Sequence, residues 1–241
     1  MISARKLIKA SYYAGKDFFR PPQVRDVRSP AVAAVMVPIR SLGPSETGRI
    51  VQHLLNLAPA DRYLRFGYAA NDEQIERYVA GLNFERDEIF GIYNRRLELI
   101  AVAHLAFAVE VDFTSCAEFG VSVLVHARGR GYGMRLFDRA VMHARNEGVH
   151  MMFIHALSEN TNMLNIARGA GAIVVRDGSE SDAYLRLPPA DLDSRMTEMV
   201  EEGVAQTDYR LKVQAHQFWS FLRMMQDVRR GMRDARDRTS S

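Results

Sequence analysis

An apolar strand runs directly into a glycine-rich turn and then into a helix at residues 123–133, whose sequence is VLVHARGRGYG. Within it, Arg128, Gly131 and Gly133 form the pattern R-x-x-G-x-G. Glycines allow the backbone to turn sharply and a ligand to approach it closely. The free N–H groups at the start of the following helix bind anions, and the helix dipole adds to the attraction. The segment therefore predicts an α/β fold with a pyrophosphate cradle for a nucleotide-type cofactor.

Two familiar glycine patterns do not describe this turn. A dinucleotide-binding turn reads G-x-G-x-x-G inside a βαβ unit, with an acidic residue about twenty positions later. The glycines at 129, 131 and 133 do not continue in that pattern. A P-loop needs G-x-x-x-x-G-K-[ST], and this string does not occur in the chain.

Other reactive side chains show no pattern typical of a metal site or a nucleophilic serine. Four histidines lie between residues 126 and 155: His126, His143, His150 and His155. They are too scattered for a zinc site, so we expect no metal. Ser122 and Ser158 have no neighbouring His-Asp signature, and no G-x-S-x-G string is present.

Three segments in order resemble the GNAT superfamily of acyl-CoA-dependent N-acetyltransferases. The glycine turn resembles motif A of that family, [RQ]-x-x-G-x-[GA] after a strand. The segment AEFGVSV at 117–123 resembles the fourth strand of the bacterial protein-lysine acetyltransferase type, where A-E-[FIV]-[AG] carries a glutamate that acts as general base. The segment ENTNMLNIARGAGA at 159–172 resembles the second motif, E-N-x-x-M-x-x-[LI]-A-x-x-x-G-F, with Ala172 in place of phenylalanine. The resemblance covers roughly residues 37–187.

The resemblance implies acetyl-CoA as cosubstrate and a set of residues that contact it. These residues are Val121, Val123, Arg128, Gly129, Arg130, Gly131, Tyr132, Gly133, Met134 and Asn160. The backbone N–H groups around 121–123 are expected to stabilise the oxyanion, the usual electrostatic device in acyl transfer. Many relatives use a tyrosine seven positions after the motif asparagine as general acid. That position is Ala167 here, so a dedicated general acid is missing or comes from elsewhere.

Glu118 is the candidate general base, because it matches the family's strand-four glutamate and a carboxylate near the amine can take its proton. The alternation of Phe119, Val121 and Val123 places Glu118 on the opposite face of a regular strand. Family members carry a bulge in this strand, which would reset the alternation. Glu110 and Asp112 are rival bases at the end of the preceding strand.

The pattern of apolar runs predicts a mixed sheet with helices on both faces, in the order β-α-α-β-β-β-α-β-α-β-β. Ser45 is predicted to cap the first helix, and residues 72–82 to form the second. We expect three parts: a basic N-terminal appendage at 1–33, an acetyltransferase domain at 34–189 and a helical extension at 190–241. The apolar stripe at 211–225 either folds back on the domain or pairs with a second copy as a homodimer.

The cysteine count, the apolar runs and the distribution of charge limit the expected compartment and binding partners. The single cysteine, Cys116, cannot form an internal disulfide, which fits a reducing cytoplasm. No apolar run reaches the length of a membrane span, and no apolar segment follows the N-terminal basic residues as in a signal peptide. The basic N-terminal appendage at 1–33 could contact nucleic acid or an acidic partner. The basic residues at 128–130 could also bind nucleic-acid phosphate, but their position at a helix start favours a small ligand.

Together these features predict an N-acetyltransferase that transfers the acetyl group of acetyl-CoA to a primary amine, with a protein lysine favoured by the strand-four resemblance. A small-molecule amine is the second acceptor class. A non-catalytic acyl-CoA-binding regulatory module, which binds a partner through the basic arm and the C-terminal helix, is the alternative from another class.

Overall fold

The computed structural model describes residues 37–108 and 116–239; in the last helix, side chains are described as far as 217 and at 220, apart from 192 and 193. The strands are β1 (Arg40–Ser41), β2 (Glu88–Tyr93), β3 (Leu99–Phe107), β4 (Cys116–Val123), β5 (Met151–Leu157), β6 (Ile173–Asp177) and β7 (Glu180–Arg186). The helices are α1 (Thr47–Leu55), α2 (Pro59–Phe66), α3 (Asp72–Ala80), α4 (Tyr132–Asn146), α5 (Thr161–Gly169) and α6 (Leu192–Thr239). The appendage at 1–33 and the rival bases Glu110 and Asp112 lie outside the described residues.

Within the described residues, the strands form one mixed sheet of seven strands in the order β1-β2-β3-β4-β5-β7-β6. β4 and β5 run parallel, and the other neighbouring strands run antiparallel. Because α4 connects β4 to β5, this pair is a β-α-β crossover at the centre of the sheet.

Helices cover both faces of this sheet, as the sequence predicts. Phe119 of β4 stacks edge-on against Phe137 of α4, with ring centroids 5.1 Å apart. On the opposite face, His53 of α1 is hydrogen-bonded to Ser122 of β4 at 2.8 Å. Phe119 and Ser122 therefore point to opposite faces of the sheet, and β4 is buried from both sides.

The sequence prediction misses one helix, α2, and assigns the N-cap of α1 to the wrong residue. α2 begins at Pro59 and ends before Gly67, which has a left-handed φ of 80°. Proline at the first helical position and glycine after the last are the usual boundary signals, but eight residues are too few for a clear apolar period. Ser45 lies inside a short 3-10 turn, Pro44–Glu46, and Glu46 occupies the N-cap position of α1 instead.

The first half of α6 packs against α4 and β1. Arg139 of α4 is 4% exposed and donates to Glu202 Oε2 at 3.2 Å, while His143 Nδ1 lies 2.6 Å from Glu198 Oε1. Further along the helix, Lys212 Nζ donates to the Tyr93 carbonyl oxygen at 3.1 Å. The helix therefore folds back on its own chain over this stretch, and a division of the chain near residue 190 stays a prediction. The predicted stripe continues from Leu211, which is exposed, into side chains outside the described set.

Candidate functional site

The central parallel pair forms a fork. β4 pairs with β5 over only three residues, Cys116, Ala117 and Glu118, opposite Met151 to Phe153. Beyond Glu118, β4 stays paired with β3 as far as Val123, and β5 stays paired with β7 as far as Leu157. The two strands therefore diverge while each keeps its outer neighbour, and a cleft opens between them in the middle of the sheet.

One edge of β4 presents unpaired backbone groups to this cleft. The Leu124 N–H donates to the Ile100 carbonyl and the Ala108 N–H to the Cys116 carbonyl, so the even-numbered residues of β4 bond to β3. In a regular antiparallel ladder, the alternate residues then direct their N–H groups to the other side. The N–H groups of Val121 and Val123 accordingly face the cleft, as donors for an oxyanion would.

The glycine turn lies at the open end of the fork. Gly129 and Gly131 have left-handed φ angles of 75° and 74°, a conformation that favours glycine. A Cβ atom on either residue would meet no atom within 4 Å, so the turn faces open space. Gly131 is the N-cap of α4 and gives no side-chain cap, and the first turn of α4 contains no acidic residue. The N–H groups of this first turn are therefore available to an anion.

The side chains flanking this turn differ in exposure and contacts. Gly133 sits close to α5, because a Cβ atom there would lie 3.4 Å from Ile166 Cδ1. Arg130 and Met134 are exposed, and Tyr132 is half-buried against the core. The predicted cradle, 129–134, thus joins backbone donors to an exposed basic rim.

Arg128 has a partner that the sequence does not reveal. Its Nη2 atom forms an ion pair of 2.6 Å with Asp61 of α2, and its Nε donates to the Val123 carbonyl at 3.2 Å. The guanidinium thus ties α2 to the end of β4. In this arrangement the anion-binding capacity of the turn comes from backbone N–H groups rather than from Arg128.

Asn160 is the N-cap of α5. Its Oδ1 accepts a hydrogen bond from the Met163 N–H at 3.2 Å, and its Nδ2 is 3.5 Å from the Leu64 carbonyl of α2. Helix α2 therefore contacts Arg128, which follows β4, and Asn160, which follows β5. α2, which the sequence reading misses, therefore lies across the mouth of the cleft.

Glu118 occupies the last paired position before the fork opens. The pairing of β3 with β4 is regular from Ala117 to Val123, so the expected bulge is not present there. Glu118 therefore points to the face opposite Phe119 and α4. It is half-buried and lines a small pocket with His155, Asp182 and Tyr184.

His155, for which the sequence predicts no role in the site, lies in the same pocket. His155 Nδ1 is 2.8 Å from Asp182 Oδ1, a geometry that fixes the orientation of the ring. His155 and Asp182 are directly opposite each other on β5 and β7. The tertiary structure thus brings a carboxylate and a carboxylate-bound imidazole to one side of the fork.

A second polar cluster lies on the same face as Glu118, toward β3. His104 of β3 is paired with Gly120 of β4, and its Nε2 lies 3.2 Å from Asp87 Oδ2. Burial lowers the pKa of His104, and the charge of Arg65 lowers it further, against the opposing effect of Asp87. Burial alone would raise the pKa of Asp87, but hydrogen bonds from Arg86 and His104 hold it below its usual range.

The serine of β4 has a histidine partner from α1, although no His-Asp signature accompanies it in the sequence. His53 Nε2 is 2.8 Å from Ser122 Oγ, and His53 Nδ1 is 2.8 Å from the Leu99 carbonyl. A carbonyl oxygen can only accept, so Nδ1 carries the proton and Nε2 accepts from the serine hydroxyl. Burial lowers the pKa of His53 to about 4, so the ring is neutral near neutral pH. A carbonyl replaces the carboxylate of a catalytic triad, and the pair holds α1 against β4.

Comparison with known proteins decides the family. Residues 51–172 match the model of the acetyltransferase (GNAT) family, and this match covers half of the chain. The chain belongs to the GNAT family of acetyltransferases. It is therefore an acyl-CoA-dependent N-acetyltransferase. No curated protein sequence matches the chain at a significant level.

Solved structures show the same GNAT fold at low sequence identity. The GNAT domain of S. lividans PAT is 18% identical, with a TM-score of 0.54, over 64% of this chain and 95% of that domain. Spermidine N-acetyltransferase from Vibrio cholerae, solved with CoA and spermine, is 16% identical, with a TM-score of 0.50, over 63% of this chain and 95% of that one. The protein yncA from Salmonella typhimurium, solved with acetyl-CoA, is 16% identical, with a TM-score of 0.50, over 64% of this chain and 96% of that one. These similarities confirm the predicted fold.

The GNAT family assignment leaves the individual site residues as predictions. Ala167, which replaces the tyrosine of many relatives, is fully buried in the core.

Among the helices of the described residues, none offers the apolar length that crossing a bilayer requires. The same part of the chain contains no group of three or more His, Cys, Asp or Glu side chains arranged to hold a metal ion.

Proposed function

We propose that this enzyme transfers the acetyl group of acetyl-CoA directly to a primary amine, with Glu118 as general base. The observation that carries the proposal is the fork, which places Glu118 at its vertex and the anion-binding turn at its open end. A thioester bound along the cleft would have its pyrophosphate at residues 129–134 and its carbonyl beside the β4 edge. Bound acetyl-CoA supplies an activated carbonyl carbon.

Each step of the transfer has a group near the fork. The ammonium of the acceptor loses one proton to Glu118, directly or through a water molecule, and the neutral amine then attacks the thioester carbon. The N–H groups of Val121 and Val123 stabilise negative charge on the carbonyl oxygen. As the new C–N bond forms and the C–S bond breaks, the nitrogen releases its second proton to the departing sulfur or to water, and CoA leaves as the thiol or thiolate. A thiolate is a good leaving group, so the absence of a phenol at Ala167 is compatible with turnover.

The acceptor belongs to this proposal as well. The AEFG segment, 117–120, resembles that of enzymes that acetylate protein lysines, and this favours a protein lysine. A small-molecule amine is the second class, and one structural neighbour is a spermidine N-acetyltransferase. The shared fold does not choose between these acceptors.

A thiol-release assay with acetyl-CoA against lysine peptides and small amines tests the function. Glu118→Gln should lower turnover by roughly a hundredfold or more, the usual scale for loss of a general base, with little change in acetyl-CoA binding. Glu76→Gln, on the exposed face of α3, is the matched control and should behave as the wild type.

Three results would contradict parts of the proposal. Acetyl-CoA binding without release of thiol on any acceptor would favour the regulatory-module alternative. An unchanged rate in Glu118→Gln would transfer the base role to Glu110, Asp112 or His155. Loss of activity in Glu76→Gln as well would show that the assay reports general damage to the fold.

A further inference from the structure

Arg65, in the last turn of α2, lies directly over the backbone of β4. A Cβ atom on Gly120 would lie 2.9 Å from both Cζ and Nη2 of Arg65 and 3.0 Å from Nη1. Such distances are too short for packed atoms, so the guanidinium occupies this place because residue 120 has no side chain. Gly120 is two positions after Glu118 in a regular strand, and both residues therefore belong to the same face of the sheet.

A chain of hydrogen bonds holds the guanidinium in this position. Arg65 Nη2 donates to the hydroxyl oxygen of Tyr78 at 2.9 Å, and this hydroxyl lies 2.8 Å from His104 Nδ1. His104 Nε2 faces the Asp87 carboxylate, so Nε2 carries the proton and Nδ1 accepts from Tyr78. The guanidinium also lies over the rings of Phe66 and Tyr78, at 5.3 and 5.5 Å from their centroids.

Among the described residues, the Arg65 guanidinium has one hydrogen-bond acceptor and no partner of opposite charge. An arginine side chain has five N–H donors, and Tyr78 accepts from one of those on Arg65. Among the described residues, no carboxylate oxygen lies within 4.0 Å of it. The neighbouring Arg62, by contrast, bonds to the carbonyl oxygens of Leu55, Leu57 and Ala70 and to the Asp72 carboxylate. Arg65 is thus a positioned cation with unused donors beside the vertex of the fork.

We propose that the Arg65 guanidinium binds a carboxylate of the acyl acceptor, and that the enzyme therefore acetylates amines that carry a carboxylate close to the reacting nitrogen. This inference rests on the proposed function, in which Glu118 receives the proton of the amine. Alternate residues of a strand lie about 7 Å apart, so Gly120 and Glu118 hold the two subsites at the separation of groups within one small molecule. Guanidinium and carboxylate form two parallel hydrogen bonds, which gives such a site its selectivity.

The carboxylate has two chemical sources, a free amino acid or an acidic side chain next to the lysine of a peptide. The experiment compares matched acceptors by thiol release. Lysine is compared with 1,5-diaminopentane, which lacks only the carboxylate, and a lysine peptide with a neighbouring glutamate is compared with its glutamine counterpart. The wild type should prefer the carboxylate acceptor of at least one pair by roughly tenfold or more in kcat/KM. The pair that shows the preference identifies the source.

Three variants isolate the guanidinium. Arg65→Gln should abolish the preference, mainly through KM, and leave the rate on the member of the pair without the carboxylate within about threefold of wild type. Gly120→Ala keeps the charge but displaces the guanidinium, and it should give the same loss of preference. Arg77→Gln removes an exposed arginine from the adjoining helix α3 and should preserve the preference.

The outcomes separate this inference from the proposed function. Release of thiol with no carboxylate preference in either pair would overturn the Arg65 site alone. A preference that persists in Arg65→Gln would also overturn it. If no acceptor releases thiol, the proposed function fails, and calorimetry with lysine and 1,5-diaminopentane in the presence of CoA still decides the site. Tighter binding of lysine by wild type, absent in Arg65→Gln, would support the site, and equal binding of both amines would refute it.

Discussion

Acidification should destabilise the protein through His53, the buried histidine that joins α1 to β4. The ring is 1% exposed, and its two nitrogens are occupied by the Leu99 carbonyl and the Ser122 hydroxyl. Protonation would place a second N–H against the serine, at a site where no carboxylate of the described residues pairs with the ring. The folded state therefore resists a proton that the unfolded chain accepts readily.

The size of this effect follows from the pKa. Burial lowers the pKa of His53 from 6.5 to about 4. One pKa unit corresponds to about 1.4 kcal/mol, so the shift corresponds to about 3 kcal/mol of unfolding free energy. Because the folded-state pKa is the lower one, the effect is absent above pH 6.5 and grows as the pH falls toward 4. A loss of this size is a large part of the stability of an ordinary domain.

Urea unfolding at a series of pH values, from about 7 down to about 4, measures the effect. The glutamine of His53→Gln does not titrate, so this variant should lose about 3 kcal/mol less than the wild type over the range. At neutral pH it should already be weaker by about 1–3 kcal/mol, since Leu99 and Ser122 lose a buried partner. Ser122→Ala is the matched control: it removes the hydroxyl but keeps the titrating ring, so its acid-dependent loss should remain.

Equal acid-dependent losses in wild type and His53→Gln would refute the reasoning. That result would mean that the folded protein accommodates a charged imidazole at this position, by rearrangement or by entry of water. His104, whose pKa burial also lowers, adds to the loss in both proteins, so only the difference between them is informative.

Three further predictions follow from the site and from α6. Asn160→Ala should lower unfolding free energy by about 1 kcal/mol through loss of the α5 cap, and should weaken acetyl-CoA binding measured by calorimetry if the residue also contacts the cofactor. Burial lowers the pKa of His143, but its hydrogen bond to Glu198 and the charges of the surrounding carboxylates together raise it above its ordinary value; burial would raise the pKa of Glu198, but hydrogen bonds with His143 and Asn146 hold it below its usual range. Stability from this pair is complete between pH 4.5 and 6.5, the ordinary pKa values of the two groups, and declines as pH rises from 6.5 through the raised pKa of His143, so thermal unfolding of His143→Gln should depend less on pH above 6.5. Leu211 is 62% exposed on α6; if the helix pairs with a second copy, Leu211→Asp should halve the mass measured by light scattering, whereas an unchanged monomer mass would exclude that pairing.

The sequence by itself determined the succession of the strands along the chain and the position of the glycine turn. Apolar runs of strand length are read from local residues, and so is the glycine pair at 129 and 131, because left-handed φ angles favour glycine wherever the chain is. The resemblance of the segments at 117–133 and 159–172 to GNAT motifs gave the family, which the family model confirmed. The positions of short helices were predicted less well, because a helix such as α2 offers too few residues for a periodic signal.

Only the tertiary structure decided which side chains meet. Arg65 and Gly120 are 55 positions apart, His53 and Ser122 are 69 apart, and His155 and Asp182 are 27 apart. No local pattern encodes such contacts, because strand register and helix packing set them over long distances in the chain. The regular pairing of β4 likewise fixed the face on which Glu118 lies, which the sequence left open between a bulged and an unbulged strand. Local chemistry predicts where an anion binds, and packing determines which side chains surround Glu118.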